Sequence, residues 1–189
     1  MHRQLAVVLI GAPGCGKGTQ RKKLTPLGFD ELEMSALIRE VMNSGVYPEY
    51  KKKMDRGDLL DDSDVNKILE LRLGEVDRTR DLVLDGVART EKQAEFVIDH
   101  LLLLGREVHF IIFELEDEIC FERLANRNEG RADDDPKIHR KRLSIYYNQL
   151  ARVVHVIGYS RVATHFIQAN RSVEEIHADI ADKFSISVL

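Results

Sequence analysis

Six aliphatic residues in succession, Leu5 to Ile10, run straight into Gly11-Ala-Pro-Gly-Cys-Gly-Lys17-Gly-Thr19. An unbroken apolar run of that length has no polar face to offer water. It reads as a strand covered on both sides, as in the middle of a parallel sheet. The chain must then turn sharply and begin a helix. The glycines of this loop let the backbone wrap closely and aim its N–H groups at one point. The N-terminus of the following helix adds partial positive charge there. Lys17 contributes a full charge suited to the β- and γ-phosphates of a nucleoside triphosphate. In the general form of such loops a Ser or Thr for Mg²⁺ directly follows the lysine; here Gly18 intervenes and Thr19 comes next. A flexible glycine turn with a surface lysine is the alternative, but strand, glycines, lysine, threonine and helix in this order point to a phosphate-binding loop.

The rest of the chain repeats the alternation. Leu82–Leu84 and Val108–Phe113 are further apolar runs, with weaker strand candidates at Phe29–Leu32 and His165–Gln168. Helical periodicity occupies Gly16–Leu24, Ala36–Ser44, Ser63–Asp77, Glu91–Leu104, Glu116–Asn126, Pro136–Ile157 and Ser172–Lys183. Pro26 stops the first of these; Asp62-Ser63 and Ser172 are candidate N-caps. Strands alternating with helices imply an α/β fold, a parallel sheet of about five strands with helices on both faces. The 189 residues suit one domain, and 43% hydrophobic residues suffice for its core. Residues 35–62 and 128–135 fit that core less well and read as mobile segments over the sheet edge.

Net charge is -4, which argues against broad nucleic-acid binding, so an anionic ligand must be drawn by a local cluster of cations. The two cysteines, Cys15 and Cys120, are far apart and no HExxH is present, which argues against a structural zinc site. A reducing, cytoplasmic compartment is expected. The apolar runs are too short for a signal core or a membrane span.

Taken in order, further motifs carry a resemblance. They are GAPGCGKGTQ at residues 11–20, Leu37-Ile38-Arg39, Met54-Asp-Arg-Gly57-Asp-Leu-Leu60, and Leu84-Asp85-Gly86 with Arg89-Thr90 and Gln93-Ala94. Then come Arg123-Leu124 with Arg127, Gly130-Arg131-Ala-Asp133-Asp134, Lys141-Arg142-Leu143 with Tyr146, and Ser172-Val-Glu-Glu-Ile176. Nearly the whole chain resembles the adenylate kinase family of nucleoside monophosphate kinases, in its short-lid form and without the zinc-binding lid of some relatives. The resemblance implies a P-loop NTPase-type core (1–33, 63–127 and 136–189), a monophosphate-binding segment (34–62) and a short lid (128–135). It also implies a monomer that uses Mg²⁺ and moves the γ-phosphoryl of ATP to a monophosphate, AMP in the first instance.

The same resemblance assigns roles. ATP would rest on Gly14, Cys15, Gly16, Lys17, Gly18 and Thr19, with Arg123, Arg127 and Arg171. Met34, Arg39, Gly86, Arg89 and Gln93 would hold the monophosphate, Gln93 reading its base. Lys17, Arg89, Arg123, Arg131 and Arg142 would neutralise charge during transfer, which is what phosphoryl transfer asks of a protein. Guanidinium groups suit that task because they stay charged and bind phosphate bidentately. Thr19 and Asp85 would position Mg²⁺ through its water shell, and Asp133 and Asp134 would order the lid. Blander readings exist: Arg39 could pair with a nearby carboxylate, Arg142 could belong to a basic helix face, and Gln93 could be an ordinary exposed helix residue.

The departures from the family pattern fall on the acceptor side. Where the family has Ser-Thr-Gly-Asp, this chain has Glu33-Met34-Ser35-Ala36; where it has Asp-Gly-Phe-Pro-Arg, this chain has Asp85-Gly86-Val87-Ala88-Arg89. A cis bond before Ala88 would cost about 2.5–4 kcal/mol, so this turn should be trans, with Arg89 displaced. Two alternatives to the AMP reading stay open: a kinase for CMP, UMP or dAMP, and a nucleotide-binding regulatory protein with weak transfer.

Overall fold

The computed structural model describes residues 4–43, 53, 56, 58, 60–126 and 135–184. Five strands, β1 (Leu5–Gly11), β2 (Phe29–Glu33), β3 (Asp81–Asp85), β4 (Glu107–Glu114) and β5 (Ala163–Gln168), form one sheet in the order β2-β3-β1-β4-β5. Every neighbouring pair is parallel. The expected α/β architecture is therefore the observed one.

Period-two alternation splits the strands between two apolar layers. Ala6, Val8 and Ile10 of β1, with Leu82, Leu84, Phe110 and Ile112, face one layer. Val7, Leu9, Val83, Ile111 and Phe113 face the other. On the first face lie α2 (Met34–Asn43), α3 (Asp62–Leu73) and α4 (Glu91–Leu103). Their inward residues recur at helical spacing: Met34 and Ile38; Val65, Leu69 and Leu73; Ala94, Val97, Ile98 and Leu101. On the second face lie α1 (Lys17–Leu24), α5 (Asp117–Ala125) and α7 (Val173–Lys183), which contribute Leu24, Cys120, Ile176 and Ile180. The long helix α6 (Pro136–Ser160) serves both layers, with Leu143 in the second, Val153 and Ile157 in the first, and Tyr146 against each.

Element limits differ from the sequence reading where side chains act locally. Helix α3 starts one residue early, after Asp61, and ends at Leu73 rather than running to Asp77. Beyond it, Asp77 Oδ1 accepts from both the N–H and hydroxyl of Thr79, a turn that competes with helix. Helix α2 already begins at Met34. Helix α6 runs past Gly158 and stops where Arg161 takes a left-handed conformation, φ 57°. At α7 the expected cap is present, Ser172 and Glu175 forming a reciprocal capping box.

The strands enter the sheet over a buried cation. Arg106, 3% exposed, donates to the carbonyls of Leu5, Arg80 and Asp77. At the opposite, carboxyl edge β1 diverges from its neighbours on either side: α1 leads away to β2, and α4 returns the chain to β4. Such switch points are where open α/β sheets bind ligands. No helix among the described residues is long and apolar enough to cross a membrane.

Candidate active site

The loop after β1 is built by close contacts that exclude larger side chains. Gly14 has φ 87°, and a β-carbon there would lie 2.6 Å from the Cys120 carbonyl oxygen of α5. At Gly11 a β-carbon would meet Cys15 Sγ at 2.5 Å. The N–H of Cys15 donates to Ala12 O, and those of Thr19 and Gln20 to Gly16 O, so turn passes directly into helix. Both cysteines are free and buried. Burial pushes the Cys120 thiol up to about 11, leaving it a protonated wall under the loop rather than a nucleophile.

Lys17 lies across this loop. Its Nζ donates to Gly11 O at 2.6 Å and Ala12 O at 3.0 Å, and sits 3.5 Å from Cys15 Sγ. Arg123 reaches the same turn from α5, donating to Ala169 O at 3.0 Å and to Cys15 O at 3.5 Å. From the end of β3, Asp85 directs Oδ2 to within 3.9 Å of where a Gly18 β-carbon would be. Thr19 stands exposed in the first turn of α1. The fold therefore gathers Gly14, Cys15, Gly16, Lys17, Gly18, Thr19, Asp85 and Arg123 at one edge. Arg171 makes its contacts with Asp179 Oδ2 (2.6 Å) and Gln168 O, so a role at ATP would require those bonds to exchange. Arg142 is half-buried on α6. Arg127, Arg131, Asp133 and Asp134 lie outside the described residues, as does most of 44–59. Among the described residues no three His, Cys, Asp or Glu side chains cluster as a metal cage.

Met34, Gly86, Arg89 and Gln93, expected at the acceptor, line a pocket beside β3 together with Ser35, Ile38, Asp58, Leu60 and Val65. Gly86 has φ 78°, and a β-carbon on it would fall 2.8 Å from an Arg89 guanidinium nitrogen. Arg89 folds over that glycine, Nε donating to Gly86 O at 3.1 Å and a terminal nitrogen to Ser35 Oγ at 3.2 Å. No cis peptide bond occurs among the described residues, so Val87–Ala88 is trans as anticipated, and both side chains are buried. Gln93 is corrected from the exposed alternative: it is 1% exposed. Its Oε1 accepts from Arg89 N at 3.0 Å and its Nε2 donates to Asp62 Oδ1 at 3.0 Å. Arg39 is not in the pocket lining; it pairs with Glu33 at 3.3 Å, as the blander reading had it.

Two residues of this region were missed in the sequence. Arg21, 5% exposed, bridges Glu31 at 2.7 Å and Glu33 at 2.8 Å, while its unpartnered Nε faces Asp85 at 4.0 Å. In the sequence Arg21-Lys22-Lys23 looks like a solvated basic turn. The available signal was Glu31 and Glu33, whose spacing of two puts both on one strand face and calls for a buried cation. The other is Asp62, which reads as a helix cap but reaches across to α4.

Comparison with known proteins agrees with this geometry. A family model described as an AAA domain matches residues 10–140. The chain is 34% identical to a protein named adenylate kinase from Maricaulis maris, over 93% of this chain and 96% of that relative. It is 36% identical to adenylate kinase 1 of Synechocystis, over 92% and 94% of the two chains. Against the adenylate kinase of Mycobacterium tuberculosis the identity is 30%, over 92% and 96%. With a phosphate loop at the carboxyl edge of a five-stranded parallel sheet and relatives of this kind along nearly its full length, the chain belongs to the adenylate kinase family of nucleoside monophosphate kinases.

Proposed function

We propose that the protein catalyses reversible transfer of the γ-phosphoryl of ATP to AMP. The observation that carries this is the meeting, at one sheet edge, of a phosphate loop bearing Lys17, with Arg123 of α5 reaching it, and a pocket bearing Arg89 and Gln93. In this reading residues 34–62 form the acceptor segment, 128–135 the lid and the remainder the core of a single-domain monomer working in the cytoplasm. Incoming phosphates replace Gly11 O and Ala12 O as partners of Lys17. Arg123, with Arg127, Arg131, Arg142 and Arg171, surrounds the donor phosphates, whose mutual repulsion with the acceptor is the main electrostatic obstacle. Arg89 takes the acceptor phosphate by exchanging its Gly86 and Ser35 contacts, Arg39 leaves Glu33 to join it, and Met34 packs on the nucleoside. A closing lid excludes water, the competing acceptor.

The oxygen donors present, Thr19 and Asp85, suit Mg²⁺, which keeps much of its water and binds chiefly through nucleotide phosphates. They would hold it beside the loop, where the ion neutralises phosphate charge. Asp85 retains an oxygen for this because Arg21 approaches no closer than 4.0 Å.

A panel of AMP, dAMP, CMP, UMP, GMP and IMP at fixed Mg-ATP, followed by ADP formation in a coupled assay, tests the reading. AMP should give the highest kcat/KM; good turnover of another acceptor with none of AMP refutes it. Lys17→Met should lower kcat by at least about 10³ with an unchanged circular dichroism spectrum, and near-wild-type transfer by that variant would remove the phosphate-loop assignment.

A further inference from the structure

The Gln93 amide is held in a network that leaves it only one orientation. Asp62, in the first turn of α3, receives two hydrogen bonds on Oδ1, from Thr90 Oγ1 at 2.7 Å and from Gln93 Nε2 at 3.0 Å. An ionised carboxylate only accepts, so the Gln93 atom facing it must be the amino nitrogen. The backbone N–H of Arg89 only donates, so the atom 3.0 Å from it must be the carbonyl oxygen. Thr90 completes the chain: its single hydroxyl proton goes to Asp62, and its lone pairs receive the N–H of Gln93 at 3.2 Å. Reversing the amide would set N–H against N–H and oxygen against carboxylate around a side chain 1% exposed, where water cannot compensate.

We propose that Asp62 is a positioning residue that fixes the polarity of the Gln93 amide and so selects an acceptor base carrying an exocyclic amino group beside an unprotonated ring nitrogen. This rests on the reading of the pocket as the acceptor site. With one hydrogen on Nε2 spent on Asp62 and one lone pair of Oε1 spent on Arg89, the amide keeps one donor and one acceptor in fixed order. Adenine offers the complementary pair, amino donor next to ring acceptor, and cytosine offers the same pair. Hypoxanthine, guanine and uracil present a carbonyl and a ring N–H in the opposite order. Turning such a base over would move its ribose to the other side, away from Arg89 on the wall of the same pocket. Of the rest of the lining, Met34, Ile38, Leu60 and Val65 are apolar, Ser35 is bonded to Arg89 and Asp58 is paired with Lys141, so a mismatched base meets little that could replace the amide contact.

The comparison of AMP with IMP isolates this edge, since the two differ only there. The wild type should prefer AMP by about 10- to 100-fold in kcat/KM, the discrimination of one bidentate amide contact. Asp62→Ala, and Asp62→Val as a variant that keeps more of the side-chain volume without an acceptor, should each reduce that ratio, the alanine change by about tenfold. The ATP KM should stay unchanged. A role confined to tying α3 to α4 would lower AMP and IMP turnover together and leave the ratio intact; that result in either folded variant overturns the proposal. A wild type that prefers IMP overturns it too. Turnover of no monophosphate at all would instead sink the acceptor-site reading and this proposal with it.

Discussion

Arg21→Met is the substitution whose cost the structure defines best. Methionine fills much of the volume of the arginine stem but removes a guanidinium 2.7 Å from Glu31, 2.8 Å from Glu33 and 4.0 Å from Asp85. Glu33 and Asp85 are paired in register on adjacent strands, so without the cation two carboxylates face each other across the sheet edge. Breaking a fully buried ion pair costs about 3–5 kcal/mol. Here the three carboxylates retain 41%, 19% and 14% of their side-chain exposure and water recovers part of the loss. A destabilisation of about 2–3 kcal/mol results. For a chain of 189 residues this lowers Tm by about 4–12 °C, readable by calorimetry, and shifts the urea midpoint without changing its slope. Adding Glu33→Gln should restore part of the loss, because the repulsion it relieves exists only once Arg21 is gone; a double-mutant cycle would give a coupling of roughly 1–2 kcal/mol. A loss below about 1 kcal/mol or strictly additive variants would refute the idea that Arg21 neutralises this cluster.

Gly86→Ala should raise the acceptor KM several-fold and leave the ATP KM alone, since a methyl group at φ 78° would push into the Arg89 guanidinium at 2.8 Å; equal change in both constants would remove Arg89 from the acceptor site. Acid should weaken the fold through His165 and His177, whose affinities for protons are lowered by burial. The unfolded chain binds those protons more readily, so the stability of the neutral forms is complete above about 6.5 and declines as pH falls through and below that value. His109 Nδ1 lies 3.1 Å from His165 Nε2, with Glu107 and Lys183 the other charges facing the pair among the described residues, so His165→Gln should flatten the pH dependence of the urea midpoint; an unaltered slope between pH 7.5 and 5.5 refutes the assignment.

What the sequence made legible was whatever one segment decides by itself. Leu5–Gly11 could be read as a doubly covered strand because every residue in it is apolar, and the glycine loop because conformation and phosphate affinity reside in the same few residues. The helices facing the first layer announced themselves by spacing, as Ala94, Val97, Ile98 and Leu101 do. Interactions between segments remained hidden. Arg21 and Asp62 carry no local mark that separates them from solvated Lys22 or Asp64. Each acquires its meaning from a partner that the fold brings up from elsewhere, Arg21 from Glu33 and Asp62 from Gln93.

The departures from the family pattern take on a different sense once those partners are known. Met34 and Ala36 replace a hydroxyl and a carboxylate, which read as losses on the acceptor side. Yet Glu33, three residues before Ala36, places a carboxylate against Arg21 and Arg39, and Ser35 gives Arg89 a hydroxyl partner next to Met34. Polar groups have thus shifted along one short stretch, Ser35 into the pocket lining and Glu33 outside it. A residue-by-residue comparison scores this as two defects. A comparison of which charge meets which guanidinium finds the arginines of the acceptor side still partnered, which is the condition that lets a phosphate displace them by exchange instead of meeting bare charge.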